Sequence, residues 1–370
     1  MSELIEILQI INTDGIGPVT FYNALNKGGS VAAAMEIVAA KKALCNRSKA
    51  EDMVAQAQKI GATIISFQDA LYPEAIRQLN DAPPVLYALG NIDLLKHPVA
   101  VAIVGARNAS IAGRKMASRI AYDLTERDVL VVSGMARGID SAAHKGALYA
   151  KNRHGPTIAV LGTGLDEIYP PENADIYHQI AEQGLLLSEF PLGTAAQMSN
   201  FPRRNRLIAA LSVGTLVVEA SMHSGSLITA KQAAEQGKEV FAVPGSPIES
   251  RAAGPNYLIK QGALLTENAD DILNVLSITQ NRQIKNYQLE LIGLDKPQNK
   301  ANIAEQKNTA MPAVTSPTPL LELISYEGVD IDELLRNSGL AQADFFMQIL
   351  DLEFSGKIER QAGNKVARIR

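Results

Sequence analysis

The feature that most restricts how this chain can fold is a unit that recurs between about residues 98 and 270. Each copy is a short β-branched apolar run, a turn of Gly, Ser or Arg, and a helical stretch. The runs are Val99 to Val104, Val129 to Ser133, Thr157 to Leu161, Leu185 to Ser188, Thr215 to Glu219 and Glu239 to Val243. They lack strict alternation of apolar and polar residues, so each is expected to be a strand covered on both faces. Such strands, alternating with helices, build a parallel, doubly wound α/β sheet. Ligands of these sheets bind beyond the carboxyl ends of the strands, so the residues just after each run are where function should lie.

Those residues share a character. The first run ends in Gly105-Ala-Arg107-Asn108-Ala-Ser110, the second in Gly134-Met-Ala-Arg137-Gly138, and the third in Gly162-Thr-Gly164. The fifth continues through Ser221 to Ser224-Gly225-Ser226. Glycine lets backbone approach a phosphate, a helix N-terminus adds partial positive charge, and Ser or Arg side chains complete a cradle. Neither the G-x-G-x-x-G dinucleotide fingerprint nor the Walker sequence is present, which argues against a nicotinamide enzyme and a P-loop ATPase. Phe201-Pro-Arg203-Arg204-Asn205-Arg206 adds guanidinium groups and a ring before a helix from Leu207. A basic groove with a stacking face is what single-stranded nucleic acid needs. Arginine at a helix start opposes the macrodipole, so this cluster is easier to explain with an anion beside it, a solvated basic helix start being the plainer reading. Phe201 can equally be core packing against the sheet.

Catalytic groups are sparse. Asp140 and His144 stand one helical turn apart and read as a structural pair, while His223 near Glu219 and Ser221 lacks a third partner. No catalytic residue, cofactor or metal is expected. A single cysteine, Cys45, excludes an internal disulfide framework. Hydrophobic residues make up 46% of the chain and charged ones 20%, a globular composition. The net charge of −4 means that any nucleic-acid contact must come from local basic clusters. The start, Met-Ser-Glu-Leu-Ile-Glu, has no basic leader, and no apolar run is long enough for a bilayer, so a cytoplasmic protein with no membrane partner is expected.

Turn signals divide the chain into residues 1–60, 61–280, a linker 281–317, and 318–370. In the first part, Leu4, Ile7, Leu8 and Ile11 share a helical face, Asp14-Gly15-Ile16-Gly17-Pro18 breaks it, and Val19 to Leu25 forms a second run. A helix, glycine turn and helix can offer N–H groups to a phosphate or be an ordinary hairpin. In the last part, helices over Leu320–Tyr326, Ile331–Asn337 and Ala341–Phe354 precede two strands around Ala362-Gly363-Asn364, the order of a winged helix. Its wing is basic at Lys357, Arg360, Lys365, Arg368 and Arg370. Its helices carry Asp330, Asp332, Glu333, Asp344, Asp351 and Glu353, which favours contact with protein over reading of a DNA groove.

Several segments together resemble the DNA processing protein A (DprA/Smf) family. They are Ala102-Ile-Val-Gly-Ala-Arg-Asn-Ala-Ser110, Ser133-Gly-Met-Ala-Arg-Gly-Ile-Asp-Ser-Ala-Ala-His144, Gly162-Thr-Gly-Leu-Asp166 with Tyr169-Pro170, Phe201 to Arg206, and Glu219 through Lys231. The resemblance implies an extended Rossmann-like, doubly wound, mostly parallel sheet. It also implies a small N-terminal helical domain of sterile-alpha-motif or helix-hairpin-helix kind and a C-terminal winged-helix-like domain. It further implies a non-enzymatic, homodimeric single-stranded DNA-binding protein that protects incoming DNA and loads the RecA recombinase in natural transformation. By the family pattern Arg107 and Arg204 to Arg206 line the DNA pocket; with the turn residues above and Lys231 they make up the expected DNA and phosphate site. Met198-Ser199-Asn200 is neutral where related proteins often place a basic side chain. The rivals are a nucleotide-binding enzyme or sensor on the same fold, and a regulator whose winged helix reads duplex DNA. Arginines spread over several loops favour a polynucleotide, since one nucleotide needs one cradle.

Overall fold

The structure is a computed structural model that describes residues 2–151 and 156–276 and, discontinuously, residues between 320 and 368. Two compact units divide the chain, Met1–Leu294 and Asp295–Arg370.

The first unit opens with α1 (Ser2–Ile11), α2 (Pro18–Gly28), α3 (Val31–Ala39) and α4 (Arg47–Lys59). Between α1 and α2 the chain turns through Gly15 at φ 72°, and Lys42 Nζ donates to Asp14 O at 2.7 Å. Pro18 opens α2, where its missing N–H leaves nothing unpaired. The apolar faces of these helices do not close on themselves. Ile7, Leu8 and Phe21 share one buried cluster with Val85, Tyr87 and Leu161. The Phe21 ring meets that of Phe67 edge-on at 5.6 Å. The helices of residues 2–59 and the sheet therefore share a core.

The sheet holds nine strands, β1 (Thr63–Ser66), β2 (Val85–Gly90), β3 (Ala100–Val104), β4 (Leu130–Ser133), β5 (Thr157–Val160), β6 (Leu185–Ser188), β7 (Gly214–Val217), β8 (Glu239–Ala242) and β9 (Leu264–Leu265). Their order is β1-β2-β6-β5-β4-β3-β7-β8-β9. Every expected run is a strand, β3 to β8, and all neighbours among them are parallel. Burial on both faces explains their lack of alternation: Val101 and Ile103 join one apolar layer, Ala102 and Val104 the other. Three strands lie outside the repeat. β2 is antiparallel to β6 and leads to β3 through a 3-10 turn at Ile92–Lys96 instead of a helix; β1 pairs antiparallel with β2; β9 has only two residues.

The covering helices are the single turn α5 (Glu74–Arg77), α6 (Ile111–Thr125), α7 (Ile139–Tyr149), α8 (Ala174–Gln183), α9 (Asn200–Ala210), α10 (Gly225–Glu235) and α11 (Ala253–Lys260). From β3 the chain winds outward through β4, β5 and β6, then returns to place β7 on the other side of β3. That reversal opens a crevice between the carboxyl ends of β3 and β7, the topological switch point of an open α/β sheet.

The second unit contains a 3-10 turn (Leu320–Leu323), β10 (Val329–Asp330), a helix (Ile331–Ser338), β11 (Ile358–Gln361) and β12 (Lys365–Arg368). The strands form an antiparallel sheet in the order β10-β12-β11 around Leu320, Ile331, Leu334, Phe345 and Val366. The first expected helix is only the 3-10 turn. Ser325 O is taken by the Arg368 N–H at 3.0 Å, and Gly328 at φ 93° bends the chain into the extra strand β10. Arg368, read as part of a basic wing, donates from Nε to Leu321 O at 2.8 Å. The expected linker 281–317 and most of the third expected helix lie outside the described residues.

Candidate nucleic-acid interface

Four strand-end loops meet at the switch point, and each is held by its own hydrogen bonds. After β3, Ser110 caps α6 by accepting the Gly113 N–H, while its N–H and hydroxyl donate to Glu219 at 2.8 and 2.5 Å. Glu219 comes from the loop after β7 and lies where this kind of fold usually seats a diphosphate. A protein carboxylate thus fills the N-terminus of α6. Ser110, expected beside a phosphate, here serves as the cap of α6 with Glu219 as its partner.

The loop after β4 is pinned from below. Asp140 accepts N–H bonds from Gly134 at 3.2 Å and Ala136 at 3.4 Å. His144 Nε2 accepts the Met135 N–H at 3.3 Å, and Asn173 Nδ2 donates to Met135 O at 2.7 Å. These bonds hold Met135 at φ 58°, a left-handed conformation costly for a side chain of its size. Gly138, at φ 80°, has the Ala106 and Arg107 carbonyls where a Cβ would sit, so a glycine here lets two loops pack together.

His144 is fully buried. Thr157 Oγ1 donates to Val131 O, so it accepts from His144 Nδ1 at 2.8 Å, and the imidazole is neutral with its proton on Nδ1. Burial, aided by the positive Arg204, lowers its pKa to about 3. The unfolded imidazole therefore binds a proton that the folded one refuses, and this group's contribution to stability falls as pH drops from about 6.5 toward 3. Burial pushes the Asp140 and Glu189 carboxyls up, which acts in the opposite sense. Urea unfolding at about pH 7 and about pH 5 should show a smaller pH-dependent loss in His144→Gln than in the native chain. Equal losses would mean that His144 is not the titrating group.

The Phe201 to Arg206 segment lies inside α9, and its guanidinium groups point different ways. Arg204 is 4% exposed and donates from Nη1 to Gly134 O and to Val160 O, the latter at 2.5 Å. A Cβ on Gly134 would overlap that guanidinium, so this glycine makes room for an arginine. Burial lowers the Arg204 pKa to about 10, with Asp140 opposing the shift, and the group stays charged at neutral pH. Arg206 is also buried and pairs with Glu189 at 2.5 Å and Asp81 at 3.2 Å. Arg203 lies over the Phe190 ring at 4.9 Å and within 3.6 Å of Glu189. The anion beside Arg203 and Arg206 is therefore the protein's own Glu189.

A cleft of about 600 Å3 opens at the switch point, between Arg107 on the β3 side and Ser224-Gly225-Ser226 on the β7 side. Phe201, Arg204, Asn205 and Gly105 line it as well. An adjoining depression adds Arg137, Gly134 and Gly162. Arg107 is exposed and its guanidinium stacks 4.9 Å above the Phe201 ring. Phe201 also packs on Tyr169, with centroids 5.6 Å apart, and is half-buried, so its two sequence readings both describe part of the ring. Asn205 donates toward Gly225 O, and Ser224 caps α10 with Gly225 open to solvent, leaving that helix end facing the cleft. Arg137 is exposed and 3.5 Å from Glu172.

Not every expected residue reaches this place. Gly164 is buried, with its N–H donated to Thr194 O at 2.9 Å, and Lys231 stands on the exposed side of α10 beside Glu235. Arg251 was not expected. It follows β8, lines the cleft, and donates from Nε to Asn108 O at 2.8 Å, steadying the Arg107 loop. Its signal was available in the turn Pro244-Gly245-Ser246, one more strand end with a nearby arginine.

A family model described as DNA recombination-mediator protein A matches residues 63–277, and another, the DprA winged helix domain, matches residues 305–364. The chain belongs to the DprA/Smf family. Protein Smf of Escherichia coli is 38% identical over 305 residues, spanning 82% of this chain and 76% of that protein. DNA processing protein DprA of Streptococcus pneumoniae is 44% identical over 208 residues, spanning 56% and 72%. The X-ray structure of the Streptococcus pneumoniae DprA superposes with a TM-score of 0.63 at 34% identity, covering 74% of this chain and 97% of that one. A DprA structure from Helicobacter pylori, described for its single-stranded DNA binding mode, gives 0.54 at 31% identity over 59% and 97%. DprA membership accounts for the mostly parallel α/β sheet and the C-terminal winged helix together. Among the described residues no helix is long and apolar enough to cross a membrane.

Phe201→Leu should lower oligonucleotide affinity roughly fivefold, about 1 kcal/mol, with little change in melting temperature, because the exposed face of the ring would be lost while its packed face is largely replaced. Lost stability with affinity intact in the folded fraction would make Phe201 a packing residue only.

Proposed function

We propose that this DprA/Smf chain binds single-stranded DNA across the carboxyl edge of its sheet. Phosphates approach Arg107 and the solvent-facing N-terminus of α10, and a base lies against Phe201. The observation that carries this reading is the exposed Arg107–Phe201 stack at the mouth of the cleft, a cation and a π-face in one place. The filled N-terminus of α6 weighs against the nucleotide-binding rival, since Glu219 would repel a diphosphate there. Family membership supports the finer reading: a cytoplasmic homodimer without catalytic activity that protects incoming DNA and loads RecA during natural transformation. The Helicobacter pylori relative, described as binding single-stranded DNA, supports the ligand class.

Competition for a labelled oligothymidylate tests the ligand class. Unlabelled oligonucleotide should displace it, whereas free mono- and dinucleotides should not at equal phosphate concentration. Displacement by one nucleotide alone would favour the enzyme or sensor. The rate of RecA filament assembly on single-stranded DNA, with and without the chain, tests the loading step.

A further inference from the structure

The groove between α6 and α7 carries a second concentration of positive charge that the cleft does not use. The two helices press together at Gly146, where a Cβ would overlap the Ser118 carbonyl, and a trough of about 540 Å3 runs along their outer surface. Arg114, Lys115 and Arg119 of α6 and Lys145 of α7 line it, all exposed, with no carboxylate among the described residues that line it. Lys115 and Lys145 have no ion-pair partner among the described residues, and Arg119, 80% exposed, comes only within 3.8 Å of Asp123. In a chain of net charge −4 this is a local reversal of sign. Tyr149, 74% exposed, stands in the same trough and offers an exposed ring.

The Arg107 loop, which lines the cleft, also anchors the starts of both helices that form the trough. α6 begins directly after that loop, and Arg114 Nη1 donates back to Ala109 O at 2.6 Å. α7 begins against the same loop, with the Ile139 N–H donated to Ala106 O at 3.2 Å. Both helices thus start at the edge where the cleft opens, and the stretch from Ser141 to Tyr149 covers about 12 Å of α7.

We propose that a single DNA strand held at Arg107 continues along the α6–α7 trough, with its phosphates on Lys115, Arg119 and Lys145 and a base against Tyr149. This rests on the reading of the cleft as a single-strand site. Positive charge alone would suit an acidic protein segment or an anionic membrane. Charge together with an exposed ring, on two helices that start at the Arg107 loop, fits an extended polynucleotide.

The test uses the full chain and oligothymidylates of about 6 and about 24 nucleotides, the shorter sized for the cleft alone. In the native chain the longer strand should bind more tightly at matched salt. A variant combining Lys115→Ala, Arg119→Ala and Lys145→Ala should bind the short strand within about twofold of the native chain and the long one at least about tenfold more weakly. Its salt dependence for the long strand should drop by about 2 in log–log slope. Tyr149→Ala should weaken only the long strand, and Tyr149→Phe should restore it. A triple variant with an unchanged melting temperature that binds the long strand like the native chain would overturn the proposal, as would equal losses on both lengths. Loss of binding to phosphatidylglycerol vesicles, with the long strand unaffected, would make the trough a membrane surface and also overturn it. Failure of the cleft reading has a different signature: the short strand would not bind the native chain, or would bind Arg107→Ala equally well.

Discussion

Replacing Arg204 by methionine should destabilise the α/β unit by about 3–5 kcal/mol, the range for breaking a buried charged network by removing one partner. Methionine keeps much of the volume but leaves the Gly134 and Val160 carbonyls without their donor and Asp140 without the nearby cation. The loop between β4 and α7 would lose its support from α9, and a cooperative shift in the urea midpoint at neutral pH would report it. The family pattern reads this arginine as a DNA contact, which predicts the opposite: unchanged stability with reduced binding. Those two outcomes separate a buried structural cation from a ligand-binding one.

Arg107→Ala should do the reverse. The side chain is exposed and spans no core, so stability should change by no more than about 0.5 kcal/mol. Affinity for an oligothymidylate should fall by about 1–3 kcal/mol, and the salt slope by about 0.7, as expected for one phosphate contact to a single strand. Fluorescence anisotropy at several salt concentrations measures both. Unchanged affinity in the folded variant would remove Arg107 from the site.

The contrast between Arg107 and Arg204 shows what was legible in the sequence. The six parallel strands were readable because burial on both faces leaves an apolar run with no alternation, and the Gly and Ser turns after them marked the binding edge. The roles of individual arginines were not readable, because their fates depend on partners far along the chain. Arg206 meets Asp81 and Glu189, Arg204 meets Gly134 and Val160, and none of these pairings has a local spacing signal. The packing of the glycines was hidden for the same reason: where a Cβ would sit, Gly134 meets a guanidinium and Gly138 two carbonyls, all from distant segments. β1 and β9 were missed because one is a short, partly exposed edge and the other has too few residues to show a period. The shared core of the N-terminal helices was hidden too, since an amphipathic face does not reveal what covers it.

Photo-crosslinking of the full chain to an iodouracil-substituted oligonucleotide, followed by mass spectrometric mapping, would locate single-stranded DNA on the carboxyl edge of the sheet, between β3 and β7. Adducts are expected at Phe201 and in the loops of Arg107 and Ser224 to Ser226, suppressed by Arg107→Ala. Adducts confined to residues 1–59 or 318–370, with none at the strand ends, would contradict that location.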